Sequence, residues 1–193
     1  MKTTVAKSAG FCFGVERAVE MVEQAVREGK QAVTLGPIIH NRHVVDRFAS
    51  MGVREASGVE KIPDGTAVII RSHGVSRQVY RDLEDRGLEV IDATCPFVHR
   101  IHQLVTGAEA QGRQPVIIGT RTHPEIVAIA GWCTHPQVFE TAEELEAWLL
   151  ADETRPFLPL SMVSQTTGTQ DLWKKCREIG KKLCTNLEIF DTK

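Results

Sequence analysis

Apolar positions along this chain fall into short runs that alternate with stretches of helical spacing. Val15, Ala18, Val19, Val22, Ala25 and Val26 recur at intervals of three and four, and Gly29 ends the run, which predicts an amphipathic helix. Residues 32–35 read as a strand, and Val44, Val45, Phe48 and Met51 predict the next helix. Residues 67–70 are almost wholly apolar, as in a parallel strand covered on both faces. A polar helix over 77–86 closes at Gly87, and a strand at 88–91 delivers Asp92-Ala93-Thr94-Cys95. Val98, Ile101, Leu104, Val105 and Ala108 predict a further helix, followed by a buried strand at 116–118. One helix follows Pro124, another spans 142–150, a strand covers 158–162 and a last helix runs over 170–183. A first strand is expected near 3–6. Strands alternating with helices predict an α/β fold with parallel sheets and right-handed crossovers.

A repeat underlies this alternation. Cys12-Phe13-Gly14-Val15-Glu16-Arg17 and Cys95-Pro96-Phe97-Val98-His99-Arg100 share C-x-x-V-x-R, and the segments ending at His40 and His123 share V-x-x-G-x-x-x-H. From cysteine to histidine is 28 residues in both copies, and 83 residues separate the copies. Repeated units place equivalent residues at equivalent points around a symmetry axis. The expectation is a first α/β unit over 1–94 and a second over 95–193, with both thiols converging on one site and both imidazoles beside it. Each cysteine follows a strand and opens a helix. There the free N–H groups and the positive dipole end favour a thiolate, as nucleophile or metal ligand. Cys133, Cys176 and Cys184 lack that context and read as structural.

Composition narrows the classes. The chain is 42% hydrophobic and 25% charged, ordinary for a globular protein, and its net charge of −2 gives no broad footprint for nucleic acid. No apolar run reaches the ~20 residues of a membrane span, and the first residues lack a signal-peptide core. Five cysteines, odd and widely spaced, fit a reducing cytoplasm better than a secreted disulfide framework. His40, His73 and His123 each follow a buried strand and are expected to face one crevice at the carboxyl ends. Three imidazoles suit zinc, or an anion held through N–H donors. His43, His99, His102 and His135 read as surface or helix-face residues.

Six segments occur together in order: Gly10-Phe11-Cys12-Phe13-Gly14-Val15-Glu16-Arg17-Ala18, His40-Asn41-Arg42-His43-Val44-Val45, Ser72-His73-Gly74-Val75, Asp92-Ala93-Thr94-Cys95-Pro96, His123-Pro124-Glu125 and Ser164-Gln165-Thr166-Thr167. From Lys7 onward the chain resembles the 4-hydroxy-3-methylbut-2-enyl diphosphate reductase family of the non-mevalonate isoprenoid pathway. The resemblance implies three α/β units around a pseudo-threefold axis, each giving one cysteine to a central 4Fe-4S iron–sulfur cluster. It implies reductive dehydroxylation to isopentenyl and dimethylallyl diphosphate, with reduced ferredoxin or flavodoxin as electron donor. It assigns Cys12 and Cys95 as cluster ligands and His40, His73 and His123 to the diphosphate. Glu125 becomes the proton donor, and Thr166 a substrate-binding hydroxyl that relays the proton. Two departures stand out. The third unit, with its cysteine, is expected to be absent, and Cys184 is no substitute because it precedes the last strand. Thr120 stands where relatives often carry histidine. Two further readings stay open: a non-catalytic module binding a diphosphate or partial cluster, and a zinc hydrolase. Self-association through the face left by the absent unit is also expected.

Overall fold

Four-residue strands with every side chain buried set the architecture. The computed structural model describes Thr4 and residues 10–192, so the strand expected near 3–6 lies outside the described residues apart from Thr4. The chain runs α1 (Phe13–Arg27), β1 (Ala32–Leu35), α2 (Arg42–Ser50), β2 (Arg54–Ala56), β3 (Ala67–Ile70), α3 (Arg77–Asp85) and β4 (Val90–Asp92). It continues α4 (Pro96–Ala110), β5 (Gln114–Ile118), α5 (Pro124–Ala130), β6 (Gln137–Phe139), α6 (Ala142–Leu150), β7 (Leu160–Ser164), α7 (Gln170–Leu183) and β8 (Leu187–Ile189). Short 3-10 turns lie at Val59–Lys61 and Arg155–Phe157.

The strands form two four-stranded parallel sheets with the same internal order, β2-β1-β3-β4 and β6-β5-β7-β8. The chain divides into two compact units: residues 1–72 with 87–95, and residues 73–86 with 96–193. The division groups residues 73–86, which hold α3, with the second unit and leaves Cys95 in the first. Equivalent elements keep the sequence offset, α1 and α4 starting at 13 and 96 and ending at 27 and 110.

In the first unit Ala18, Val22 and Ala25 of α1 pack with Ile38, Ile39, Phe48, Ala67 and Ile69. In the second, β5 alternates between two cores as a strand must. Val116 and Ile118 pack with Leu145, Leu149, Met162 and Trp173, whereas Ile117 packs with Ile101, Val105, Ile126 and Ile129. That sheet is therefore covered on both faces, which explains its unbroken apolar strands. Burying each such side chain contributes about 1.5–3 kcal/mol.

Strand β7 starts two residues later than the pattern suggests, because Pro159 has no N–H for the ladder and only its carbonyl is used, by Gln114 N. The three-residue edge strands β2 and β6 escaped the pattern altogether. His102, expected on a surface or helix face, lies on the inner face of α4, 1% exposed, with its ring stacked on Trp132 at 4.9 Å. Among the described residues no helix is long and apolar enough to cross a membrane.

Candidate functional site

In the first unit Cys12 and Cys95 both lie at the start of one helix. Cys12 is the N-cap of α1, in extended conformation, and its side chain makes no capping bond. Its carbonyl accepts from Glu16 N at 2.9 Å and its thiol is exposed. Cys95 comes three residues after β4. Ala93 N donates to Ile70 O at 3.1 Å, Thr94 N to Asp92 Oδ1 at 2.9 Å and Cys95 N to Ser72 O at 2.9 Å. Arg17 reaches from α1 to the carbonyls of Thr94 and Asp92, at 3.1 and 3.3 Å. The Cys95 sulfur lies against Gly14, since a Cβ built there would stand 2.5 Å from it. Both thiol-bearing residues thus flank the first turn of α1.

The same unit carries His40. After β1 the chain buries Ile38 and Ile39, exposes His40 and enters α2 through Asn41, whose Oδ1 accepts from Val44 N at 3.3 Å. Ser72 donates to Ile38 O from its backbone N, at 3.3 Å, and from its hydroxyl, at 3.2 Å. Ser72 therefore ties the segment leading to His40 to the segment ending at Cys95.

The second unit holds His73, His123, Glu125 and Thr166. The His73 and His123 rings meet edge to face at 5.3 Å. His123 caps α5, its Nδ1 accepting from Glu125 N at 3.2 Å, so a neutral ring carries its proton on Nε2. Glu125 is 1% exposed. Its Oε1 accepts from Thr166 N at 2.6 Å and its Oε2 from the Thr166 hydroxyl at 2.9 Å. A buried carboxyl is tolerable only with such partners. Gln165 braces the turn, accepting from Thr120 N at 3.2 Å and donating to Thr167 Oγ1 at 2.8 Å. The Thr120 residue itself is exposed.

The remaining thiols are chemically quiet. Burial pushes Cys133 up to about 12 and Cys176 up to about 11, and also raises Cys184. Soft thiolates select iron–sulfur clusters, copper(I) or zinc, and Cys12 with Cys95 is the thiol set that fits such a centre. Reading the sequence did not single out Ser72, Gly14 or Arg17 for a task. Arg17 had a signal, as the last residue of the shared C-x-x-V-x-R.

The family model described as LytB protein matches residues 3–193. The chain belongs to the LytB family. Among LytB relatives, it is 38% identical over 196 residues to the 4-hydroxy-3-methylbut-2-enyl diphosphate reductase of Thermoanaerobacter pseudethanolicus, covering 100% of this chain and 66% of that protein. It is 40% identical over 177 residues to the reductase of that name from Clostridium perfringens strain 13, covering 89% and 59%. A solved structure of (E)-4-hydroxy-3-methyl-but-2-enyl diphosphate reductase, described as the terminal enzyme of the non-mevalonate pathway, superposes with a TM-score of 0.84 at 34% identity, covering 98% of this chain and 66% of that one. The reductase structure from Plasmodium falciparum gives 0.88 at 25% identity, covering 96% and 58%. The chain spans about two thirds of the length of the relatives it matches over its full extent.

Proposed function

We propose that this chain carries the cluster-binding and proton-donating residues of a 4-hydroxy-3-methylbut-2-enyl diphosphate reductase. The observation that carries the reading is the pairing of Cys12 and Cys95 at the first turn of α1, in a chain whose relatives bear that name. These two thiolates would be two of the three protein ligands of a 4Fe-4S cluster. Such a cluster, when bound, supplies electrons and an open iron for the substrate hydroxyl.

The overall change removes one hydroxyl as water at the expense of two electrons and two protons. His73 and His123 donate ring N–H bonds to the diphosphate, and family resemblance assigns the same task to His40. Glu125 holds the proton that lets water leave. Thr166, bonded to Glu125 through its hydroxyl, places that hydroxyl between carboxyl and substrate alcohol as a relay. A reduced ferredoxin or flavodoxin supplies the electrons, in a cytoplasmic setting.

Anaerobic reconstitution with iron and sulfide tests the reading. The expected result is bound iron with a visible iron–sulfur absorption band, lost in Cys12→Ser and in Cys95→Ser. A colourless protein holding stoichiometric zinc overturns it in favour of hydrolytic zinc chemistry.

A further inference from the structure

Gly14 and Arg17 lie outside every role assigned above, yet both act on Cys95. Gly14 has no positive φ, so its backbone does not call for glycine. Only the space does. A Cβ at Gly14 would lie 2.5 Å from the Cys95 sulfur, closer than real Cβ atoms approach, and a tight 3.0 Å from its Cβ. The missing methyl is therefore a slot that the sulfur fills. Arg17 stands almost one turn further along α1 and binds the carbonyls of Thr94 and Asp92. With Asp92 Oδ1 on Thr94 N and Ser72 O on Cys95 N, the approach to Cys95 is pinned from three sides. Ala93 and Thr94 are buried, 0% and 4% exposed. Anchoring β4 would explain the arginine but not the glycine. The two together fix where one sulfur sits relative to the helix that Cys12 caps.

We infer that Gly14 and Arg17 are positioning residues that seat the Cys95 sulfur on the first turn of α1, presenting it with Cys12 as a preset ligand pair for a thiophilic metal centre. The inference rests on the cluster reading above. Partners that orient ligands without touching the metal typically govern about 10–100-fold in affinity.

Cadmium is the probe, because it binds thiolates without redox chemistry. The reduced 193-residue chain is titrated with cadmium and followed by thiolate-to-cadmium absorption in the ultraviolet. Gly14→Ala, Arg17→Met and Arg17→Lys are compared with wild type, and Cys12→Ser serves as the single-thiol reference. Wild type is expected to bind through both thiols, with Gly14→Ala and Arg17→Met about tenfold weaker or more. Arg17→Lys recovers part of the loss, because an ammonium still donates to one of the two carbonyls. In the same samples, iodoacetamide labelling is read thiol by thiol by mass spectrometry. Gly14→Ala changes the Cys95 rate while Cys133 and Cys176 stay protected. Variants that bind as tightly as wild type overturn the inference. So does weakened binding accompanied by labelling of Cys176, which reports a loosened fold. Wild type binding no better than Cys12→Ser instead overturns the paired-thiol basis of the proposed function, and this inference falls with it.

Discussion

Glu125 shows how one residue can supply donors to both oxygens of a buried carboxyl. Both of its oxygens are occupied by one residue, Thr166, whose backbone N–H and hydroxyl each donate to it. Glu125→Gln keeps the shape of the side chain. Its amide oxygen can still accept from Thr166 N while its NH2 donates to the Thr166 hydroxyl, so folding should survive. What is lost is the acidic proton. In a complete reductase carrying these residues, substrate affinity should be retained and turnover should fall by about 10²-fold or more. Steady-state kinetics with separate kcat and KM check this, and near-normal kcat removes the acid role. The histidine–proline–glutamate motif made Glu125 legible in the sequence. Its partner was named too, but the bond between them was not, because 41 residues separate the two and no local rule spans that gap.

At the scale of elements, α5 is the vulnerable part. Seven residues make a marginal helix by themselves. Its N-terminus bears His123 and Glu125, and its C-terminal end is clamped instead of merely packed. Trp132 Nε1 donates to Val75 O at 2.9 Å, and Arg77 N donates to Gly131 O at 3.3 Å. The Arg77 guanidinium bonds Trp132 O at 3.2 Å and lies over the indole at 5.4 Å, while Thr106 Oγ1 donates to the same carbonyl at 3.1 Å. Val75 is two residues past His73, so the clamp joins the His73 loop to the helix that carries Glu125. Trp132→Phe keeps most of the packing and loses the donor, leaving the buried Val75 carbonyl short of a partner. It should cost about 1–3 kcal/mol, read as a lower urea midpoint at unchanged slope. An unchanged midpoint would mean the indole serves packing alone. The clamp was invisible in the sequence, whereas α6 and α7 were legible to their ends. Thr141 and Thr169 cap those two, and their apolar spacing is long enough to show its period.

For the molecule as a whole, the thiol inventory decides what this chain does by itself. Two of its five cysteines, Cys12 and Cys95, flank the first turn of α1, and burial disfavours the thiolate of the other three. Each unit also exposes large apolar side chains, Phe11 and Phe13 in the first and Phe97, Leu150 and Phe157 in the second. Where such side chains join into a continuous patch, association is favoured. The expected behaviour is a labile cluster, no reductase turnover and concentration-dependent self-association. Iron content after desalting, an activity assay and sedimentation velocity check this. A stable cluster with full turnover in a monomer contradicts it. The α/β class and the repeat were legible because parallel strands buried on both faces leave unbroken apolar runs and because the cysteine-to-histidine spacing is literal. The division at residues 73–86 was not, because it follows from packing and not from chain order.

That repeat is regular in one stretch and elastic in another. From the cysteine to β2 or β6 the two copies keep step, with β2 and β6 starting at 54 and 137. Beyond that point they diverge. Residues 57–66 hold a single 3-10 turn, while residues 140–159 hold α6 and a 3-10 turn. Yet the next strand in each copy returns to the same place beside its neighbour, Leu35 opposite Ile70 and Ile118 opposite Ser164. Hydrogen-bonded register resets the chain after the slack. Ser72 and Thr166 lie just downstream of that reset, each two residues past its strand. The crossover therefore works as an expansion joint, and a lineage can lengthen or trim it without moving either hydroxyl.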